Sequence, residues 1–536
     1  MATQWATFPV EFKGGVISNL SPLQQGSQAI GSATVLENME PNRTGGYTKI
    51  KGYEKFSSTE VPGTGEILAC KVVSSGRVVV GREVDAAAIT AVSGLASGDE
   101  GKIAYYYGTG GGWTYIAKGS QTSTGKARHA TYNFDGDDKT VFVDGNNYPM
   151  IYTTNGNTAT FKQASDDNMI TDVLAAEHVA IYKNTGFYAK GNTVFFTAPY
   201  TVDNFSAASG AGSISVGNDI TGLAVFREQL IVFTTDSIHK LTGSTAADFR
   251  LEPITRKTGC LNGDTIQEVG GDIMYLAPDG IRNLSSTDRI GDFAMDVASD
   301  KAYKEAEEVI EATSEFTSLV CRTKAQYRLF GYITSQAVNN ARGIVATRFS
   351  SQGASDIQWS TTKGIKAFVA DSTYTGNTET LMFGNGDGYV YKLDSGNDFD
   401  GTDIDSVYES PYMPITDPQM RKTAYKLTLY TEPTGTMDLN FNLLFDFDSG
   451  ADTRVVQPET IPIGASSTSG AGGFALFGAP GSTFGTATFG GKIKKVYTEN
   501  LIGSFHTVAM RITDSSSNPP FTLDTAILEY RQNDRQ

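Results

Sequence analysis

The feature that most constrains this chain is a hairpin-like unit that keeps returning between about residues 65 and 395. Residues 221–244 read TGLAVFREQLIVFTTDSIHKLTGS and residues 265–287 read TIQEVGGDIMYLAPDGIRNLSST. Each has a short apolar strand, a tight polar turn, a second apolar strand, another turn, then a third strand. Looser copies begin at Leu68, Arg128, His178, Leu319 and Lys366. Their spacing of roughly 45–60 residues is close to the ~40–50 that one four-stranded propeller blade occupies. The repeat therefore predicts an all-β chain built on a β-propeller of six or seven blades. A closed ring of blades is mostly a scaffold, so function is expected at its faces, its channel and its attachments.

The flanks read differently. Residues 1–60 form an arm in which ENMEPNRTGGYTKIKGYEKF alternates polar and aromatic residues across the Gly45-Gly46 turn, as a hairpin does. The propeller is placed at 61–400. Inside it, AAAITAVSGLASGDEG reads as an irregular insertion ahead of a hairpin whose tip is GTGGGW. A helix is expected over 297–316, capped by Ser299 or Asp300, with Ala302, Ala306, Val309 and Ile310 on one face. The polar break SGNDFDGTDID ends the ring. Residues 401–536 then alternate in longer strands and read as a C-terminal antiparallel β-sandwich carrying one Gly/Ser-rich loop, residues 464–491. That loop holds Phe474, Leu476, Phe477, Phe484 and Phe489, which a true linker would lack, so these five are the expected subunit-interface residues.

Chemistry-bearing motifs are few. GTGGGW lacks the Lys-Ser/Thr and the helix that a phosphate loop requires. The acidic clusters Asp135/Asp137/Asp138/Asp144, Asp398/Asp400/Asp403/Asp405 and Asp446/Asp448 have no late Glu and read as solvated turns. Cys70, Cys260 and Cys321 are far apart with no CxxC and read as buried, reduced thiols. His129, His178, His239 and His506 are equally dispersed. No catalytic constellation, cofactor motif or metal-ligand spacing emerges, and the expectation is a protein that is not an enzyme. A net charge of −16 argues against a protein whose task is gripping nucleic-acid phosphates, though not against DNA passing nearby. No apolar run reaches the ~18 residues of a bilayer span, and the first residues lack a secretory pattern. A soluble protein made in the cytoplasm is expected.

Several segments together resemble the podovirus tail nozzle family, also called tail tubular protein B or packaged-DNA stabilisation proteins. The pattern F-x-G-G, S-P, N-x-E and G-x-Y-x-K-x-x-G-Y is met by Phe12, Gly14-Gly15, Ser21-Pro22, Asn38, Glu40, Gly46, Tyr47, Lys49 and Gly52-Tyr53. Residues 220–241 and 270–292 resemble the family's most recognisable blades, and residues 391–401 its propeller-closing segment. Residues 421–432 and 520–532 resemble its C-terminal β-domain. The resemblance implies a structural role in the virion tail, made in the host cytoplasm. It implies a ring, usually a homohexamer, below portal and head-tail adaptor, which extends the DNA conduit, retains the packaged genome and seats tail fibres or spikes. Transient contact with genomic double-stranded DNA follows; membrane insertion does not. Alternatives from other classes are a virion-associated carbohydrate-active propeller enzyme, which needs carboxylates converging in a sugar-sized cleft, and a receptor-binding module. The family's gate residues have no portable motif and are not assigned.

Overall fold

In the computed structural model, residues 5–533 are described apart from 123–124, 167, 285–296, 314, 352–353, 436, 448–458 and 464–494. Two-residue turns with positive φ at both central positions, Lys183-Asn184, Arg227-Glu228 and Gly270-Gly271, reverse the chain between apolar strands. That conformation matches the right-handed twist of the strands it joins. The result is seven blades, six of them separate small antiparallel sheets and one, blade 6, the antiparallel end of a nine-stranded sheet. Blade 1 runs Thr64–Val72, Val78–Glu83, Lys102–Gly108 and Trp113–Thr122. Blade 2 runs from Arg128–Tyr132 to Thr158–Phe161, blade 3 from His178–Tyr182 to Gly212–Ser215, and blade 4 from Ile220–Phe226 to Arg250–Thr255. Blade 5 has three described strands, Gln267–Val269, Asp272–Ala277 and Gly280–Asn283. Blade 6 runs from Glu315–Cys321 to Ala354–Lys363, and blade 7 holds Val369–Thr375, Thr378–Gly384 and Val390–Leu393.

The fourth strand of blade 7 is Tyr53–Lys55, so a segment from the start of the chain closes the ring on Val390–Leu393. Tyr53 stacks on Phe399 at 4.9 Å and meets Phe383 and Tyr391 edge-on at 5.1 Å each. Gly52 is there because nothing larger fits: a Cβ on it would lie 1.7 Å from the Asp398 carbonyl oxygen.

The first 60 residues are accordingly not an arm of their own. Ala6–Glu11 pairs with Phe521–Gln532, and the hairpin Met39–Pro41/Tyr47–Lys49 joins the same sheet. Lys422–Pro433 and Lys495–Phe505 complete it. The facing sheet holds Ile404–Glu409, Val508–Ser516, Met437–Phe445 and Glu459–Ile463, and Val35–Glu37 joins it to Ala354–Lys363 of blade 6. The sandwich and blade 6 thus share one nine-stranded sheet. Phe12, Tyr47 and Tyr408 meet in the sandwich core, and the buried pair Lys49–Asp514 (2.5 Å) ties hairpin to strand.

The helix is shorter than the sequence predicts, Tyr303–Ala312 after a 3-10 turn at Asp300–Ala302. Ser299 is not its cap, because its hydroxyl accepts from the Ile281 amide, and Glu315 already belongs to blade 6. The expected apolar face is right: Ala302, Ala306 and Val309 are buried between blades 5 and 6 beside Trp359. The insertion of blade 1 forms the short helix Ala86–Ala91, capped by Asp85. No helix among the described residues is long and apolar enough to cross a membrane.

Candidate functional site: the axial cavity

The interface residues expected in the Gly/Ser-rich loop, Phe474, Leu476, Phe477, Phe484 and Phe489, lie outside the described residues. Six carboxylates of the Asp-rich clusters have protein partners, and Asp448 lies outside the described residues. Asp138 accepts from the Asn133 amide, Asp144 from the Asn146 and Asn147 backbone, Asp398 from the Gly401 amide, and Asp446 from those of His506 and Thr507. Asp135 pairs with Lys139, and Asp400 with Lys55 at 3.2 Å. The GTGGGW segment is a hairpin tip whose Trp113 indole donates to the Thr59 carbonyl at 2.9 Å. All three cysteines are buried and unpaired.

Chemistry gathers instead on the propeller axis. The opening segment of every blade contributes to one cavity of about 350 Å³. These positions were hidden in the sequence as single charged residues inside apolar runs. Lys71 stands in blade 1 and Lys126, Arg128 and His129 at blade 2; His178 is in blade 3, Asp264 precedes blade 5, and Asp371 is in blade 7. Two histidines that look dispersed along the chain therefore share one cavity wall.

Their contacts run across the ring. Arg128 grips Asp264 with a two-pronged bond, Nε to Oδ1 at 2.6 Å and Nη2 to Oδ2 at 3.1 Å, joining blades 2 and 5. Its Nη1 donates to the Glu177 carbonyl just ahead of blade 3 at 3.2 Å. Lys126 donates to the Phe316 carbonyl at 2.6 Å and pairs with Glu315 at 3.3 Å, both in blade 6, and lies 3.6 Å from Asp264. Asp371 accepts from the Val72 amide at 2.8 Å, pairs with Lys71 at 3.2 Å and stands 3.6 Å from His129 Nε2. Gln267 donates to the Ser318 carbonyl and Arg322 to the Ser372 hydroxyl. Blades far apart in sequence are thus braced by charge-assisted bonds, which are stronger than neutral ones.

Burial and charge set the protonation states. Burial alone would push the Asp264 carboxyl up, but Arg128 and Lys126 outweigh it and hold it at about 2. Asp371 is likewise driven well below the usual range by Lys71 and His129 against the effect of burial. Burial, reinforced by Arg128, lowers His178 to about 3, and burial with Lys71 lowers His129. At neutral pH both carboxylates are ionised and both imidazoles neutral. Burial raises the Cys70 thiol far above its ordinary value, so it is not a thiolate nucleophile. At ~30 Å³ per water, 350 Å³ holds about a dozen waters. The axis of one propeller is plugged by ion pairs and does not admit a duplex ~20 Å wide.

No family model and no curated protein matches the chain. Solved structures similar to it include the extracellular domain of the putative one component system BT4673 from B. thetaiotaomicron, at 9% identity and TM-score 0.38, covering 74% of this chain and 44% of that one. The extracellular domain of the putative hybrid two component system BT3049 from the same organism matches at 9% and 0.36, covering 62% of this chain and 40% of that one. U3-55K matches at 8% and 0.39, covering 64% of this chain and 99% of that one. The chain spans less than half the length of the first two. Likenesses this distant carry no argument about activity.

Proposed function

We propose that this chain is a structural subunit of a short-tailed phage virion: the tail nozzle ring that continues the DNA conduit below portal and adaptor, retains the packaged genome and seats fibres or spikes. The observation that carries the reading is where the family-like segments fall. Those within residues 12–53, 391–401, 421–432 and 520–532 sit at the joints that make propeller and sandwich one body, while 220–241 and the described part of 270–292 are strands of blades 4 and 5. Gly15, whose φ is +69°, donates to the Tyr47 hydroxyl, and a Cβ on it would lie 2.6 Å from the Trp359 backbone. Tyr53 and residues 391–401 close the ring, and Lys422–Pro433 and Phe521–Gln532 are paired neighbours in the sandwich. A part that must withstand the pressure of packaged DNA gains from having Ala6–Glu11 and Phe521–Gln532, far apart in sequence, paired in one sheet.

The plugged axis adds a geometric condition. The conduit must run between subunits, around the symmetry axis of an oligomer, and not through any single propeller. With a chain charge of −16 its lining is expected to be mainly acidic, so that the duplex is repelled from the wall and not held by counterion release. The test is a phage genome with this gene disrupted. The reading expects particles that package DNA and lose it, with tails truncated below the adaptor. Particles that keep their DNA and carry a complete tail would overturn it.

A further inference from the structure

We propose that the axial cavity is a binding site for one compact, doubly charged oxyanion of the phosphate or dicarboxylate class, held as a structural ligand of the ring. Four cations line the cavity, Lys71, Lys126, Arg128 and Arg322, against two carboxylates, Asp264 and Asp371. The face presented to the cavity is thus formally +2 (four minus two) in a chain of net −16. Glu315 and Glu379, which pair with Lys126 and Arg322, are not among the lining residues, so local charge balances while the cavity face stays positive.

Donor capacity is left over. Of the five N–H groups on a guanidinium, Arg128 directs two at Asp264 and one at the Glu177 carbonyl. Two remain. Lys71 makes only long contacts of 3.2–3.3 Å to Asp371 and Thr373. The Arg322 side chain is 46% exposed, which leaves the cavity open to solutes on that side.

A second observation points the same way. His178 lines the cavity, is only 8% exposed, and its ring has no hydrogen-bond partner among the described residues. Its ring nitrogens keep access to the cavity, so its one N–H is free to meet a ligand's acceptor there in place of water. The neutral ring offers one N–H beside the spare Arg128 donors. An oxyanion meeting both would link blades 2 and 3, and Arg322 would add blade 6. The 350 Å³ volume lies at the small end of the range for ligand sites and suits an ion with few carbons.

The experiment is isothermal titration of the purified full chain at pH 7 and fixed ionic strength, with inorganic phosphate and succinate as probes and chloride as control. One site per chain with a Kd of about 1 mM or tighter is expected for phosphate, succinate or both, and none for chloride. The tighter probe identifies phosphate or carboxylate as the recognised group. Arg322→Gln, at a half-exposed position, should weaken binding about tenfold with an unchanged far-UV spectrum as the check on folding, and His178→Phe should do the same. Absence of saturable heat with both probes, or undiminished affinity in Arg322→Gln, overturns the proposal.

Discussion

Asp264 is the residue on which most of the axial brace converges, because Arg128 and Lys126 both lean on it. Replacing it by Ala strands the Arg128 guanidinium, which is 29% exposed, so the loss falls below the ~3–5 kcal/mol of a fully buried pair, at about 2 kcal/mol. Urea unfolding of Asp264→Ala should show a loss of that order, whereas Glu228→Gln, which breaks the exposed Lys183–Glu228 pair, should leave the urea midpoint close to that of the parent protein. The histidines set a pH dependence of definite sign. His178 falls from 6.5 to about 3 on folding, so between those values the unfolded chain binds a proton that the native chain does not. Stability is therefore full above pH 6.5 and declines as pH falls, by about 2 kcal/mol from this residue alone at pH 5. His129 acts in the same direction, and Asp264 adds a further loss as pH drops from 3.8 toward 2. Urea midpoints at pH 7 and pH 5 check this. The decline should be smaller by about 2 kcal/mol in His178→Phe, and an equal decline in both proteins would contradict the account.

Among the elements, the closing strand Tyr53–Lys55 is the most vulnerable. It is three residues long, yet it completes blade 7 and carries Tyr53 into a cluster with Phe383, Tyr391 and Phe399. Tyr53→Ala should cost about 3–5 kcal/mol, as large aromatic truncations in cores do. Gly52→Ala drives a methyl into the Asp398 carbonyl and should lower the melting midpoint more than Gly111→Ala, where a Cβ meets nothing within 4 Å. Thermal unfolding of the pair decides it. The elements also show what was readable in advance. The blades were legible because each is local: apolar strands, two-residue turns and the next strand all lie within one repeat. The closing strand, the joining of Ala6–Glu11 to Phe521–Gln532 and the bridge of Val35–Glu37 to blade 6 were not. Two of these three are three-residue strands without periodicity, and the partners of all three lie hundreds of residues away. The axial site was hidden for a related reason. Lys71, Arg128, His178 and Asp371 look like stray polar residues until the start of every repeat is known to face one axis. The helix was over-extended because its pattern of alanines and glutamates runs up to a strand already claimed by blade 6.

On the scale of the whole molecule, two architectures are fused by shared sheets, with the start of the chain threaded through both. Such a body is suited to transmitting load and presenting a fixed outer surface to copies of itself. Because ion pairs occupy the propeller axis, the proposed conduit has one geometry open to it: a ring of subunits whose central opening is bounded by outer surfaces of propeller or sandwich. End-on electron-microscopy class averages of the assembled protein measure this directly. The account expects a closed ring, six-fold by the family resemblance, with a central opening of at least ~20 Å that is separate from the seven-bladed axis of each subunit. Particles that remain single propellers under assembly conditions, or rings whose opening is too narrow for duplex DNA, would contradict it.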